Sequence, residues 1–199
     1  MNNSMRYQVY IYEGSTNNTE FSHNLALDAV ASYCSMRGID FDRENANIMV
    51  GPMGKPFIDI CPISFNISHT GILWVCMVGE KPCGIDIQVS ENMDVKKYDK
   101  IIARYFTPNE QAFCEKYGTD GFFRIWAHRE AYGKYTGEGF YGKMPDFVGE
   151  DGFLNIEVTA PDSSPIAGEK VYVKDEPIGE GIYMAYATGG EDDDIEILG

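Results

Sequence analysis

The sequence predicts an α+β fold made of two α+β halves that meet near residue 84. Three observations favour it: short β-branched and aromatic runs punctuated by glycine and proline, two long stretches of helical periodicity, and the order in which they alternate over 199 residues. The predicted division is an N-terminal half at 1–83, a C-terminal half at 84–188 and an acidic tail at 189–199. We expect the tail to be disordered, because its acidic run follows a Gly-Gly pair.

The N-terminal half is predicted to contain one helix among several strands. Residues 5–13 alternate in the manner of a half-buried strand. Apolar residues then recur with helical spacing over 18–37, and Gly38 is a suitable C-cap. Further strands are predicted at 46–50, 63–68 and 72–79.

The C-terminal half is predicted to begin with a strand at 84–88, continue with helices and end with strands. Thr107-Pro108-Asn109-Glu110 should open a helix, because threonine is a good N-cap, proline suits the first helical position and glutamate at the third completes a capping box. Helices are also expected at 94–105 and 119–136, and strands at 153–159, 170–174 and 181–188.

Charge and cysteine usage narrow the possible functions. A formal net charge of −15 argues against a general nucleic-acid binder, and it requires a locally basic pocket for any polyanionic ligand. The five cysteines form no C-x-x-C pair, so we expect buried, reduced thiols. With no apolar run of membrane-spanning length and an N-terminus that resembles a strand more than a signal peptide, we expect a cytoplasmic protein.

One candidate for chemistry is an acidic residue in the strand at 84–88. Ile85 and Ile87 point to one face of this strand, and Asp86 and Gln88 point to the other. A carboxylate flanked by isoleucines is costly to desolvate unless a cation or a hydrogen bond compensates it. The strand alone leaves open a metal ligand and a structural aspartate.

A second candidate is a carboxylate and an ammonium on the helix at 119–136. Phe122, Trp126, Glu130 and Lys134 follow one another at i, i+4 steps and therefore share one stripe. The two aromatic residues can anchor the helix in the core, so that Glu130 and Lys134 emerge at its rim. An ordinary surface salt bridge is the alternative.

Two turn motifs, Gly-Lys-Pro at 54–56 and Phe-Asn-Ile-Ser-His-Thr at 65–70, are ordinary turn chemistry when taken singly. They are followed by Gly-Ile-Asp-Ile at 84–87 and Trp-x-x-Arg-Glu-Ala-x-x-Lys-x-x-Gly-x-Gly at 126–139. In this order, the four motifs resemble the Sfp-type (surfactin-type) 4′-phosphopantetheinyl transferase family.

The resemblance implies a pseudo-twofold fold of two similar halves with the active site between them. It also implies a monomeric enzyme that moves the 4′-phosphopantetheine arm of coenzyme A onto a serine of an acyl, polyketide or peptidyl carrier protein. The other product would be 3′,5′-ADP, and the cofactor would be Mg²⁺, with Mn²⁺ as a substitute.

Individual positions acquire roles through the same resemblance. Asp86 and Glu130 match magnesium ligands, and Gln88 would ligate weakly or through a water. Glu130 also matches the general base, and Lys134 matches the residue that stabilises charge on the departing 3′,5′-ADP. The implied coenzyme A contacts are Lys55, Pro56, Ser68, His69, Asp86, Lys134, Arg129 and His23.

Three departures from the family pattern affect this site. Gln88 replaces a usual glutamate, which predicts weaker metal affinity. Arg129 replaces a usual lysine, and a planar guanidinium is not equivalent to a point charge. His23 is the one candidate for the basic residues that usually hold the 3′-phosphate. These departures leave open a degenerate member that binds coenzyme A or carrier without efficient transfer. A different magnesium phosphoesterase is the remaining alternative.

A basic stripe is predicted after the acidic strand. Lys96, Lys100 and Arg104 are spaced i, i+4 and i+8 in the helix at 94–105. Carrier proteins of the family are typically acidic, so we predict that this stripe docks the carrier. A solvated helix face is the alternative.

Overall fold

A computed structural model of the chain describes residues 6–14, 18–51, 54–90, 95–140 and 142–198, without the side chain of residue 95. Within these ranges the helices are α1 (Thr19–Arg37), α2 (Asp99–Tyr105) and α3 (Pro108–Thr136). The strands are β1 (Arg6–Glu13), β2 (Met49–Val50), β3 (Pro56–Phe57), β4 (Ser64–Thr70), β5 (Leu73–Gly79), β6 (Gly84–Val89), β7 (Glu157–Thr159), β8 (Lys170–Glu176), β9 (Ile182–Thr188) and β10 (Asp194–Leu198). None of these helices is long and apolar enough to cross a membrane.

The strands form two four-stranded sheets, in the orders β10-β1-β5-β4 and β6-β9-β8-β7, and a β2-β3 ribbon. Helix α1 covers one face of the first sheet, where Val30 packs with Trp74, and α3 covers one face of the second, where Ala131 packs with Val173. The other two faces pack on each other through a core that joins side chains of β1, β5, β6 and β9. The layers are therefore helix, sheet, sheet and helix, which is an α+β arrangement. The twofold similarity of the halves stays a prediction.

Helix boundaries follow the local signals in the sequence. Asn18 caps α1 by accepting a hydrogen bond from the Glu20 amide at 2.8 Å, and Gly38 ends the helix in the left-handed region at φ 67°. The capping box at Thr107 and Glu110 is present at the start of α3. The two predicted helices form one run, with non-helical backbone at Gly118.

Two predicted segments are corrected by the structure. The helix at 94–105 is a 3₁₀ turn (Val95–Tyr98) followed by the short α2, and residue 94 lies outside the described residues. The Tyr98 ring stacks on Phe122 of α3, with centroids 4.2 Å apart, and this contact anchors the turn. The strand at 46–50 is reduced to β2, and the one at 153–159 is reduced to β7.

The acidic tail is the largest correction, because residues 194–198 are a strand and not a disordered segment. Strand β10 pairs in parallel with β1, and Gln8 Nε2 donates to Glu196 Oε2 at 2.8 Å. Ile195 and Ile197 pack against the core between the sheets. These isoleucines alternate with acidic residues at the period of a strand. The prediction of disorder was based on the number of acidic residues and did not take this alternation into account.

The five cysteines are free and buried, as predicted.

Side-chain hydrogen bonds between β4 and β6, which we call the β4–β6 seam, join the two sheets. Asn66 Oδ1 accepts the Ile85 N–H at 2.9 Å, and Ser68 Oγ accepts the Ile87 N–H at 3.3 Å. Two side chains of β4 thus bind alternate backbone amides of β6, so the strands run parallel without sharing a ladder. This seam brings the N-terminal sheet to Asp86.

Candidate active site

Asp86 lies at the centre of the predicted site and is 2% exposed. Its Oδ1 accepts hydrogen bonds from Ser68 Oγ at 2.8 Å and from Lys134 Nζ at 2.6 Å. Its Oδ2 accepts one from Gln88 Nε2 at 2.7 Å. These contacts join β4, β6 and α3 at one carboxylate, and they supply the compensation that a carboxylate between isoleucines requires.

Gly84 allows α3 to approach β6 this closely. A Cβ at this position would overlap the Ala131 carbonyl oxygen and would lie 2.6 Å from the Tyr135 amide nitrogen. Both are backbone atoms, so a larger residue would push the helix away from the strand. The close approach lets Lys134 Nζ donate to the Ile85 carbonyl at 3.0 Å as well as to Asp86.

Glu130 lies one turn before Lys134 on α3 and is half-buried. Burial raises the pKa of the Glu130 carboxyl, the negative charge of Asp86 raises it further, and the ammonium of Lys134 lowers it. Asp86 and Glu130 are therefore close enough to interact electrostatically, with Lys134 beside both. Phe122 and Trp126, with ring centroids 5.6 Å apart, carry the same stripe into the interior.

The atoms around Asp86 that could serve as metal ligands are oxygens. Asp86 Oδ2 accepts a single hydrogen bond, and the Glu130 carboxylate accepts none from the described residues. No group of three histidine, cysteine or acidic side chains suited to a metal occurs in the described ranges. Two carboxylates and the amide oxygen of Gln88 suit a hard cation such as Mg²⁺, which takes few protein ligands when phosphates supply the rest. The chemistry of these side chains therefore fits this ion.

Lys55 and Pro56 border a cavity of about 520 Å³ whose lining also includes Phe57, Lys81 and Pro82. The Lys55 ammonium donates to the carbonyl oxygens of Cys83 and Tyr135, both at 3.3 Å. It therefore ties the β2–β3 ribbon to the last turn of α3. Burial lowers the pKa of Lys55, because desolvation disfavours the charged amine.

His69 and His23 lie at one end of the N-terminal sheet. His69 is exposed and lies opposite Trp74 on the neighbouring strand β5. The indole N–H of Trp74 donates to Ser22 Oγ at 2.8 Å, and His23 is the next residue after Ser22 on α1. Neither imidazole makes a hydrogen bond or ion pair with the residues that the structure describes. Ser68, by contrast, is 6% exposed and turned toward Asp86.

The structure places Arg129 in a buried ion pair, which argues against the coenzyme A contact expected from the sequence. It is 5% exposed, and its Nη1 donates to both carboxylate oxygens of Glu110, at 3.2 and 2.8 Å. Glu110 is fully buried and also accepts the backbone N–H groups of Thr107 and Phe147. The sequence identified Glu110 as a capping residue, but nothing in it indicated the ion pair across the break at Gly118.

Lys96, Lys100 and Arg104 are all exposed, although the 3₁₀ turn removes Lys96 from the α-helical register of the other two. The guanidinium of Arg104 lies 5.2 Å from the ring centroid of Tyr105. A series of ring contacts continues from Tyr105 through Phe140 to Trp126 on α3, with centroid distances of 5.3 and 4.5 Å. These rings connect α2 with the part of α3 that carries the predicted base.

Comparison with known proteins gives one consistent result. The sequence model of the 4′-phosphopantetheinyl transferase superfamily matches residues 82–178. A "4′-phosphopantetheinyl transferase" of Bacillus subtilis is 32% identical over 75% of this chain and 67% of its own length. "4′-Phosphopantetheinyl transferase Sfp" of Bacillus subtilis (strain 168) is 28% identical over 87% of this chain and 77% of its own length. "4′-Phosphopantetheinyl transferase gsp" of Aneurinibacillus migulanus is 34% identical over 55% of this chain and 46% of its own length.

Proposed function

The chain belongs to the 4′-phosphopantetheinyl transferase superfamily, and from this membership we propose that it transfers the 4′-phosphopantetheine arm of coenzyme A to a serine of a carrier protein. Asp86 and Glu130, with Gln88 beside them, would hold the magnesium ion, or manganese in its place. The observation that supports this proposal is that Lys134 on α3 is bonded to Asp86 on β6, and that Glu130, one turn earlier on α3, interacts electrostatically with both.

Glu130 is proposed as the general base. The carrier serine oxygen attacks the β-phosphorus of coenzyme A, a new P–O bond forms, and the bridging P–O bond breaks to release 3′,5′-ADP. The serine proton passes to Glu130. Its raised pKa supports this role, because a base is most effective when its pKa lies nearer the working pH.

Lys134 and the cavity beside Lys55 complete the proposed chemistry. The ammonium of Lys134, fixed by Ile85 and Asp86, would stabilise charge on the departing phosphate. A bound magnesium ion would supply electrostatic stabilisation of the pyrophosphate. The cavity bordered by Lys55 and Pro56 is the proposed adenine site. His69, towards the other end of β4, and His23 on α1 are the proposed phosphate contacts.

Carrier, compartment and assembly are further parts of the proposal. The exposed Lys96, Lys100 and Arg104 would dock an acidic acyl, polyketide or peptidyl carrier. We infer a cytoplasmic monomer, because the five cysteines are free thiols and one chain supplies both carboxylates. A member that binds without transfer is not favoured, since the relatives are named as transferases.

Mass spectrometry of an apo carrier incubated with the protein, coenzyme A and Mg²⁺ tests the proposal. We expect a mass gain equal to the phosphopantetheine arm, and we expect Asp86→Asn and Glu130→Gln each to reduce its rate at least 100-fold (about 2.7 kcal/mol). Glu115→Gln makes the same carboxylate-to-amide change at an exposed position of α3 and should leave the rate unchanged. Binding of coenzyme A without any mass gain would contradict transfer.

A further inference from the structure

Phe140 lies in a loop that follows α3 and folds back along the helix. Gly137 and Gly139 adopt a left-handed backbone, at φ 81° and 66°, and the Gly139 N–H donates to the Gly133 carbonyl oxygen at 3.1 Å. A Cβ at Gly133 would lie 2.7 Å from the Gly139 carbonyl oxygen, so this close return requires a glycine on the helix. The loop therefore turns Phe140 back towards the middle of α3.

The ring of Phe140 contacts side chains from two helices. It stacks on Trp126 of α3, with centroids 4.5 Å apart, and it meets the Tyr105 ring of α2 edge-on at 5.3 Å. The guanidinium carbon of Arg129 lies 5.6 Å from the centroid of the same ring. Because Trp126 is one turn before Glu130, Phe140 joins the end of α2 to the part of α3 that carries the proposed base.

Helix α2 depends on such contacts for its orientation. It has seven residues, and none of them is buried. A helix this short is not stable by itself in water. Ile101 and Ile102 are half-buried against a core that α3 supplies with aromatic residues, and Tyr105 packs on Phe140. The Tyr105 ring also lies 5.2 Å from the guanidinium of Arg104, so it contacts a proposed docking cation and Phe140 together.

We propose that Phe140 is a positioning residue for the carrier, which holds α2 and its docking cations Lys100 and Arg104 in place relative to Glu130. The proposal rests on the docking surface and the transfer reaction of the proposed function. A carrier held on α2 must present its serine to Glu130, so the distance between them has to match the carrier. Displacing a reacting group by about 1 Å can slow a reaction on the order of 100-fold.

Coenzyme A binding should not depend on this ring, because none of the proposed coenzyme A contacts lies on α2 or in the loop after α3. Variants of Phe140 separate the ring from the volume that it fills. Phe140→Ala removes both, Phe140→Leu keeps apolar volume without a ring, and Phe140→Tyr keeps the ring. Phe153→Ala is the matched control, because it removes a phenylalanine side chain that is 65% exposed in another loop of the same half.

Steady-state transfer to an acidic apo carrier, followed by mass spectrometry, gives the KM for carrier and the KM for coenzyme A. Phe140→Ala should raise the KM for carrier about tenfold and change the KM for coenzyme A by less than about twofold. Phe140→Tyr should stay within about threefold of wild type, and Phe140→Leu should be intermediate. Phe153→Ala should match wild type. Phe140→Leu provides the comparison if the alanine variant does not fold.

A double-mutant cycle distinguishes positioning of α2 from direct contact with the carrier. Lys100→Glu together with Arg104→Glu should raise the KM for carrier several-fold when Phe140 is present. In the Phe140→Ala background, the same charge reversal should raise it by less than about twofold, because α2 no longer holds the cations where the acidic residues of the carrier meet them.

The proposal fails on any of three results. An unchanged KM for carrier in Phe140→Ala would show that α2 keeps its place without the ring. Equal increases in both KM values would assign Phe140 to the general stability of the site. Equal effects of charge reversal in both backgrounds would mean that Phe140 acts on the carrier independently of α2.

Failure of the proposed function is a separate outcome, which the wild-type protein and the charge reversal reveal before any variant of Phe140 is compared. No mass gain with wild type would contradict transfer itself. A charge reversal without effect when Phe140 is present would remove the docking surface, and the role of Phe140 with it.

Discussion

Replacing Glu110 by alanine should leave the guanidinium of Arg129 buried without its ion-pair partner in the C-terminal half. The two side chains are 0% and 6% exposed and are joined at 2.8 Å. Burial raises the pKa of Glu110, whereas the charge of Arg129 and the amides of Thr107 and Phe147 lower it. Removing the carboxylate therefore leaves one buried cation and two backbone donors without their acceptor.

The expected cost is large compared with the stability of a domain. Breaking a buried ion pair by removing one partner costs about 3–5 kcal/mol. Losing a helix cap adds about 1 kcal/mol, because Glu110 is also the returning half of the capping box. The sum, about 4–6 kcal/mol, approaches the whole stability of a small domain, roughly 5–15 kcal/mol.

Urea unfolding of four variants separates charge from packing. Glu110→Gln keeps the capping geometry but loses the charge, so it should cost less than Glu110→Ala. Arg129→Met leaves a buried carboxylate alone and should also be destabilised. The double variant Glu110→Gln/Arg129→Met leaves no buried charge and should be more stable than Glu110→Ala by about 2 kcal/mol or more. Coenzyme A affinity of the folded Arg129 variants should stay within twofold of wild type.

Two results would contradict a structural role for the Glu110–Arg129 pair. A cost below about 1 kcal/mol for Glu110→Ala would mean that the pair is screened like a surface ion pair. Coenzyme A binding weakened tenfold by Arg129→Met, in a protein of nearly wild-type stability, would return Arg129 to the ligand site.

The remaining predictions concern docking, pH and packing. Lys100→Glu together with Arg104→Glu should raise the KM for an acidic carrier several-fold and leave that for coenzyme A unchanged in steady-state assays. Burial lowers the pKa of His128 below its usual 6.5, so the unfolded chain takes up a proton at a higher pH than the folded protein does. The free energy of unfolding should therefore fall as the pH drops below about 6.5, by at most about 1.4 kcal/mol per pH unit. In urea titrations, His128→Gln should show a smaller fall. Gly84→Ala should cost about 1–3 kcal/mol in the same assay and slow transfer, because its Cβ overlaps the Ala131 carbonyl.

Each of these predictions has an outcome that contradicts it. Equal effects of charge reversal on both KM values, or none, would end the docking proposal. An identical pH dependence of stability in wild type and His128→Gln would mean that Asp175, 3.3 Å from the imidazole, cancels the effect of burial. A Gly84→Ala variant with wild-type rate and stability would show that α3 can move away without disturbing the site.

The sequence predicted the elements of the site because their signals are local. The strand that carries Asp86 has period two, and the helix that carries Glu130 and Lys134 has i, i+4 spacing, so each could be identified alone. That they lie near one another could be expected only from the resemblance, because no pattern over the 44 positions that separate Asp86 from Glu130 encodes a contact.

What the sequence could not reveal depends on long-range partners. The pairing of β10 with β1 joins residues 188 positions apart. Within the tail itself, the acidic composition favoured disorder, because the alternation of isoleucine with acidic residues is too short to be a strong strand signal. Arg129 occupies a motif position that suggested ligand binding, but its environment depends on Glu110 from the other side of a helix break. The hydrogen bond from Ser68 to Asp86 likewise joins residues 18 positions apart, and no pattern in the sequence indicated it.

An anomalous difference map from crystals grown with Mn²⁺ and coenzyme A measures directly whether β6 and α3 share one cation. We expect a single peak within about 2.5 Å of a carboxylate oxygen of both Asp86 and Glu130, beside the pyrophosphate. A manganese ion bound elsewhere, or a pyrophosphate bound with no peak between these two residues, would contradict it.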